Sequence, residues 1–204
     1  FGSEAALLFS SGFLANMALF ATLPQKGDLI VADALVHASA HEGLRRARAD
    51  YVFAAHNDVD SFADAIHKWR AGGGRGRVWL AFETLYSMDG DFAPVDELAA
   101  LAQAEEGWLL IDEAHATGVF GPGGRGLAAQ LEGAGNVVSL HTCGKALGVE
   151  GALVCGPREV IRFLVNRARP FIFSTAPSPL IAVAVAAADM AATSTTRSRS
   201  DRSE

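Results

Sequence analysis

The 204-residue sequence predicts an α/β fold with a mostly parallel central sheet flanked by helices. Two observations carry this. Short apolar runs alternate with longer amphipathic stretches at the spacing of βαβ crossovers. Several of the runs are apolar at consecutive positions, the pattern of a strand buried on both faces.

The predicted strands cover residues 28–32, 51–55, 77–82, 108–111, 137–140 and 152–155. Between them, residues 12–23 place Phe13, Leu14, Met17, Leu19, Phe20 and Leu23 at helical spacing. Residues 58–71 open on Asp58, an N-cap residue, and run through Phe62, Ala65, Ile66 and Trp69. Residues 94–105 open on Pro94, which suits a first helical turn. There is no internal repeat. Residues 193–204 are Ser, Thr, Arg and acidic residues with no apolar member, and a disordered tail is expected there.

Half the residues are hydrophobic and a fifth are charged, which is ordinary globular composition. Lys and Arg number 17 against 23 Asp and Glu, for a net charge of −6. A mildly acidic chain lacks the clustered cations that nucleic-acid binding needs, so no nucleic-acid partner is expected. No apolar run reaches transmembrane length, so no membrane partner is expected either. Cys143 and Cys155 form neither a metal-like spacing nor a disulfide framework. A reducing compartment, the cytoplasm, is the expectation. The chain opens on Phe1 rather than Met and reads as a fragment.

Parallel α/β sheets bind ligands at the carboxyl ends of their strands. The run 108–111 leads into Asp112-Glu113-Ala114-His115. A carboxylate at the end of a buried strand needs a cation or donors, and a protonated pyridine nitrogen is one solution. A cap on a following helix is another. The run 137–140 leads into His141-Thr142-Cys143-Gly144-Lys145. A lysine there reaches a pocket, and burial makes its amine a nucleophile toward an aldehyde; the alternative is a surface lysine. Thr142 offers a hydroxyl to a phosphate. Ser10-Ser11-Gly12-Phe13 precedes a helix, whose N-terminal N–H groups either bind a phosphate or are simply capped. His37 follows the first predicted strand, placed to stack on a planar ring or to serve structure. Ser87 lies close after a strand end, before the turn at Asp89-Gly90.

Asp112-Glu113-Ala114-His115 also spells a DEAH helicase box. That reading needs an upstream P-loop, and no G-x-x-x-x-G-K-[ST] run is present.

The ordered set Ser11-Gly12-Phe13, His37-Ala38-Ser39, His56-Asn57-Asp58, Ser87-Met88-Asp89-Gly90-Asp91, Asp112-x-x-His115 and Thr142-x-x-Lys145 resembles the α-oxoamine synthase family of fold-type-I pyridoxal 5'-phosphate (PLP) enzymes. The resemblance runs from about residue 2 to about residue 188. It implies that residues 1–192 are a PLP-binding large domain, with the family's N-terminal arm and C-terminal small domain outside the chain. It implies Lys145 as the lysine that carries the cofactor, Asp112 as the partner of the ring nitrogen and His37 as the stacking residue. His115 would lie near the phenolic oxygen, and Gly12, Phe13, Ser87 and Thr142 would be further contacts. Ser174 and Thr175 would reach the phosphate from the other subunit of a homodimer. The implied reaction is decarboxylative condensation of an amino acid with an acyl-CoA. His37-Ala38-Ser39, Asp91 and Phe173-Ser174-Thr175-Ala176 favour the biotin-pathway branch, with L-alanine and a pimeloyl-CoA-type donor. The glycine acetyltransferase branch shares His-Ala-Ser and is the rival. Cys143 and Glu150 depart from the family pattern. An inactive fragment that only self-associates is the alternative of another kind.

Overall fold

The computed structural model describes residues 1–188. The expected tail at 193–204 and the large-domain boundary at 192 lie outside the described residues. Seven strands form one sheet in the order β1-β7-β6-β5-β4-β2-β3. They are β1 (Ala5–Phe9), β2 (Leu29–Asp33), β3 (Asp50–Ala54), β4 (Val78–Glu83), β5 (Trp108–Asp112), β6 (Val137–Thr142) and β7 (Ala152–Gly156). Helices among the described residues include α1 (Gly12–Thr22), α2 (Ala38–Leu44), α3 (Val59–Ala71), α4 (Val95–Ala104), α5 (Arg158–Arg167) and α6 (Arg169–Ile172).

All six predicted strands are present, each within two residues of its expected bounds. The pairs β3–β2, β2–β4, β4–β5 and β5–β6 are parallel, as expected of a buried sheet. β7 is the antiparallel member of this mostly parallel sheet, running opposite to both β6 and β1. Because β7 follows β6 through a short loop, not a helical crossover, its direction must reverse.

Strand parity divides the core. Ile30, Ala32, Trp79, Ala81, Leu110, Val138 and Leu140 face α1, α2, α5 and α6, where Leu19, Phe20, Leu44, Ile161 and Leu164 meet them. Their neighbours Leu29, Val31, Val78, Leu80, Phe82, Leu109 and Ile111 face α3 and α4 through Phe62, Ile66, Leu98 and Ala102. β2 and β4 are buried at every position, which explains their unbroken apolar sequence. Asp58 caps α3 as expected, accepting from the Ser61 N–H at 3.1 Å. Pro94 precedes α4 at its N-cap.

Four elements were not predicted: β1, α2, α5 and α6. α2 is a seven-residue helix too short to be stable alone. It forms by packing on α1, where a Cβ at Gly43 would lie 2.8 Å from the Phe20 Cβ.

Candidate active site

The carboxyl ends of β2, β4, β5 and β6 meet the N-terminus of α1 around a cleft of about 160 Å³. Gly12, Phe13, His37, Asp112, His115, Thr142 and Lys145 all line it. Seven residues singled out in the sequence, spread from position 12 to position 145, therefore share one cavity.

Asp112 is the last residue of β5. Its Oδ2 accepts from Asn16 Nδ2 at 2.7 Å and its Oδ1 from the Ala114 N–H at 2.9 Å. Asn16 is buried on α1, and its other amide hydrogen goes to Ser39 Oγ at 3.0 Å. Ser39 Oγ lies 2.7 Å from His37 Nδ1. The serine oxygen accepts from Asn16, so the serine hydrogen is directed to Nδ1, which also faces the Ser39 N–H at 3.2 Å. Nδ1 is thus an acceptor and the imidazole proton sits on Nε2. The chain Asp112–Asn16–Ser39–His37 fixes carboxylate and imidazole relative to each other.

Lys145 sits in the loop between β6 and β7, closed by the Cys143 N–H to Gly151 C=O bond at 2.8 Å and the Val149 N–H to Cys143 C=O bond at 2.9 Å. Its Nζ lies 2.6 Å from His115 Nε2. Partial burial lowers the lysine pKa from its ordinary value, against the carboxylates of Asp112 and Glu83. Burial and the neighbouring Lys145 charge likewise lower His115. A neutral His115 accepts from the Lys145 amine at that distance.

At the other wall, Ser11 caps α1 by accepting from the Leu14 N–H at 3.3 Å. Gly12 and Phe13, whose N–H groups precede the intrahelical ladder, line the cleft. A Cβ built on Gly12 would lie 3.5 Å from Thr142 Oγ1, so helix start and threonine hydroxyl stand together.

Three residues are not brought here. Ser87 is exposed in the turn after β4 and is not among the cleft-lining residues. Ser174 and Thr175 line a separate groove with Leu8, Phe9 and Pro177. Conversely, Asn16 and Glu83 line the cleft without having been singled out, and Ser39, named only within the His37-Ala38-Ser39 motif, lines it as well. Glu83 was open to the argument applied to Asp112, because it too ends a buried strand. Burial, reinforced by Asp112, raises its pKa to about 8.

Beyond Glu83 lies a second polar cluster. His56 bridges two carboxylates, with Nδ1 2.8 Å from Asp33 Oδ1 and Nε2 2.7 Å from Asp91 Oδ2. Burial pulls the His56 pKa down, but hydrogen bonds to Asp33 and Asp91 outweigh it and hold the value above the ordinary one.

The sequence profile described as aminotransferase class I and II matches residues 1–203. The chain belongs to that family. Among curated members, an 8-amino-7-oxononanoate synthase of Acidithiobacillus ferrooxidans is 46% identical over 192 residues, covering 93% of this chain and 48% of the relative. One of Anaeromyxobacter dehalogenans is 45% identical over 199 residues, covering 96% and 49%. The chain thus spans about half the length of the curated relatives it matches. Among solved structures, the serine palmitoyltransferase (SPT) of Sphingomonas wittichii aligns with TM-score 0.86 at 31% identity, over 94% of this chain and 48% of that one. An SPT structure with PLP aligns with TM-score 0.83 at 31% identity, over the same shares. The 8-amino-7-oxononanoate synthase of Francisella tularensis aligns with TM-score 0.77 at 31% identity, over 94% and 54%. These family members bear out the α-oxoamine synthase resemblance and the fold-type-I architecture read from the motifs. No helix among the described residues is long and apolar enough to cross a membrane.

Proposed function

We propose that this chain binds PLP in the Lys145 cleft and belongs to an enzyme of the 8-amino-7-oxononanoate synthase type. That enzyme condenses an amino acid with an acyl-CoA, releasing CO₂, free CoA and an α-oxoamine. The observation that carries the reading is the meeting of the Lys145 amine, the Asp112 carboxylate and the open start of α1 in one cleft. Each of the three answers one chemical feature of PLP: its aldehyde, its ring nitrogen and its phosphate.

When bound, PLP supplies an electron sink for the amino acid's α-carbon. The protein's part follows from its own groups. Lys145 offers its amine to the aldehyde, and its lowered pKa increases the unprotonated fraction. Freed again, the amine moves a proton at the α-carbon. His115 Nε2 accepts from the lysine and would serve as a hydrogen-bond partner of the cofactor's phenolic oxygen. Asp112, oriented by Asn16 and the Ala114 N–H, holds the proton on the ring nitrogen. His37 orients the ring from one face. The N–H groups of Gly12 and Phe13 with the Thr142 hydroxyl would bind phosphate, whereas Ser87 stands outside the cleft. In a homodimer, Ser174 and Thr175 of the partner subunit complete the phosphate site.

L-Alanine and a pimeloyl-CoA-type donor, hence a place in biotin synthesis, are supported by the curated relatives' names and by His37-Ala38-Ser39, Asp91 and Phe173-Ser174-Thr175-Ala176. The sequence spacing of Cys143 and Cys155, which makes no disulfide framework, goes with a cytoplasmic location.

The test has two stages. Added PLP should produce visible absorbance, and borohydride should fix a phosphopyridoxyl group on Lys145, located by peptide mass mapping. Label on another lysine, or none, overturns the cofactor assignment and favours the inert fragment. CoA release is then followed with alanine plus pimeloyl-CoA and with glycine plus acetyl-CoA. Faster turnover of the second pair moves the protein to the acetyltransferase branch.

A further inference from the structure

Three neighbouring parallel strands end in acidic residues: β2 in Asp33, β4 in Glu83 and β5 in Asp112. β4 lies between the other two in the sheet, and Glu83 stands directly opposite Asp112 in the register. Adjacent strands are separated by roughly 4.8 Å. Glu83 and Asp112 therefore stand side by side on the face that bounds the cleft, whereas Asp33, one position out of register with Glu83, turns to the other face of the sheet.

Asp33 and Asp112 are each met by hydrogen-bond donors. Asp33 accepts from the N–H groups of Leu35 and Asn57, each at 2.8 Å, and meets His56 Nδ1 at 2.8 Å. Asp112 has Asn16 and the Ala114 N–H. Glu83, between them, is 3% exposed. The groups that face it are the carboxylates of Asp112 from β5 and Asp33 from β2, the backbone N–H of His37 at the start of α2, and Lys145 from the β6–β7 loop. Tyr86, just beyond β4, is a further neighbour. Lys145 makes its close contact with His115 instead. A second negative charge directly beside Asp112, without its own cation, is strongly disfavoured in a buried setting.

We propose that Glu83 is a positioning residue that stands in the cleft as a neutral carboxylic acid, supporting the His37 backbone and leaving Asp112 the single negative charge before the ring nitrogen. The proposal rests on the PLP reading of the same cleft. One Glu83 oxygen accepts from the His37 N–H, and the other carries the proton. An ionised Glu83 would be a second counter-ion for Lys145 and would hold its ammonium form. The neutral acid leaves the lysine free to give up its proton. The raised pKa of Glu83, caused first by burial and then by Asp112, accords with this.

Infrared spectroscopy of the protein without PLP reads the protonation directly. At neutral pH the wild type should show a buried carboxylic-acid C=O band that is missing in Glu83→Gln. The band should persist in Glu113→Gln, which removes another buried carboxyl of raised pKa. In the wild type the Glu83 band should titrate away near pH 8. This wild-type titration stands even if Glu83→Gln does not fold. Loss of an ionised carboxylate band in Glu83→Gln, or a wild-type spectrum without an acid band titrating near pH 8, overturns the proposal. The second readout is the pH titration of visible absorbance in PLP-loaded protein. Glu83→Gln, which mimics the neutral acid, should keep the wild-type midpoint below pH 8. A shift of about one unit or more, a tenfold change in proton affinity, would mean that a charge had been removed and would overturn it. Failure of the wild type to develop colour at all would defeat the PLP reading, while the infrared result still decides the state of Glu83.

Discussion

Asn16 on α1 donates to Asp112 at the end of β5, N···O 2.7 Å, although 96 positions separate them in the chain. The same amide holds Ser39, and through it the His37 ring. One side chain thus orients both groups assigned to the cofactor ring.

Asn16→Ala should therefore act twice. A hydrogen bond to a charged, partly buried acceptor contributes about 1.5–3 kcal/mol, and stability should fall by that order. The urea midpoint measures it. With PLP added, the variant should also bind more weakly, because Asp112 and His37 lose their common support. Unchanged stability together with unchanged PLP affinity would show that Asn16 supports neither.

The His56 bridge predicts a pH-dependent contribution. Its pKa is raised in the folded state, so the folded protein holds the proton more tightly than the unfolded chain. The stabilisation is complete below the unfolded value of about 6.5 and is lost as pH rises through the higher folded value. His56→Gln should cost about 2 kcal/mol near pH 6 and clearly less near pH 9. Chemical denaturation at the two pH values measures the difference. An equal cost at both would exclude a charged bridge.

Two glycines separate backbone strain from steric collision. Gly73 has φ +95° and nothing within 4 Å of a built Cβ. Gly121 has φ +76°, and its Cβ would lie 1.8 Å from the Gly126 carbonyl oxygen. Gly73→Ala should cost only the left-handed strain, about 1–2 kcal/mol. Gly121→Ala must also shift the loop and should cost about 3 kcal/mol or more. That loop reaches Gly118, where a Cβ would come 2.8 Å from the Ala146 Cβ beside Lys145. Gly121→Ala should accordingly lower PLP binding as well, whereas Gly73→Ala should not. Thermal unfolding and PLP titration of the pair check both parts.

The sequence disclosed those parts of the site that obey a local rule. Asp112 and Lys145 each follow a buried strand, and Gly12 follows a helix-capping serine. Glu83 obeyed the same rule, but its meaning depends on standing opposite Asp112, and register between strands 29 residues apart is a tertiary fact. Asn16 lay inside an apolar helical pattern and declared nothing until α1 was seated over β5. β1 was hidden because Ala5–Phe9 is an edge strand beside a second apolar run, and it is fixed by pairing rather than by pattern. α2, with Ser39, His41 and Gly43 in seven residues, has little intrinsic helicity. The carboxyl-end rule pointed to Ser87 as well, yet the turn carries it out to solvent.

β1 pairs with β7, joining Phe9 to Ala152, and it leads directly into the helix whose start faces Lys145. β1 thus finds its partner only after most of the described chain exists. Such distant pairing closes a very long loop and slows folding. On a ribosome, the segment carrying Gly12 and Phe13 would wait, unpaired and apolar, until residue 156 had emerged. Cofactor capture would then report that this pairing has formed, and a chaperone that shields Ala5–Phe9 would act during that interval.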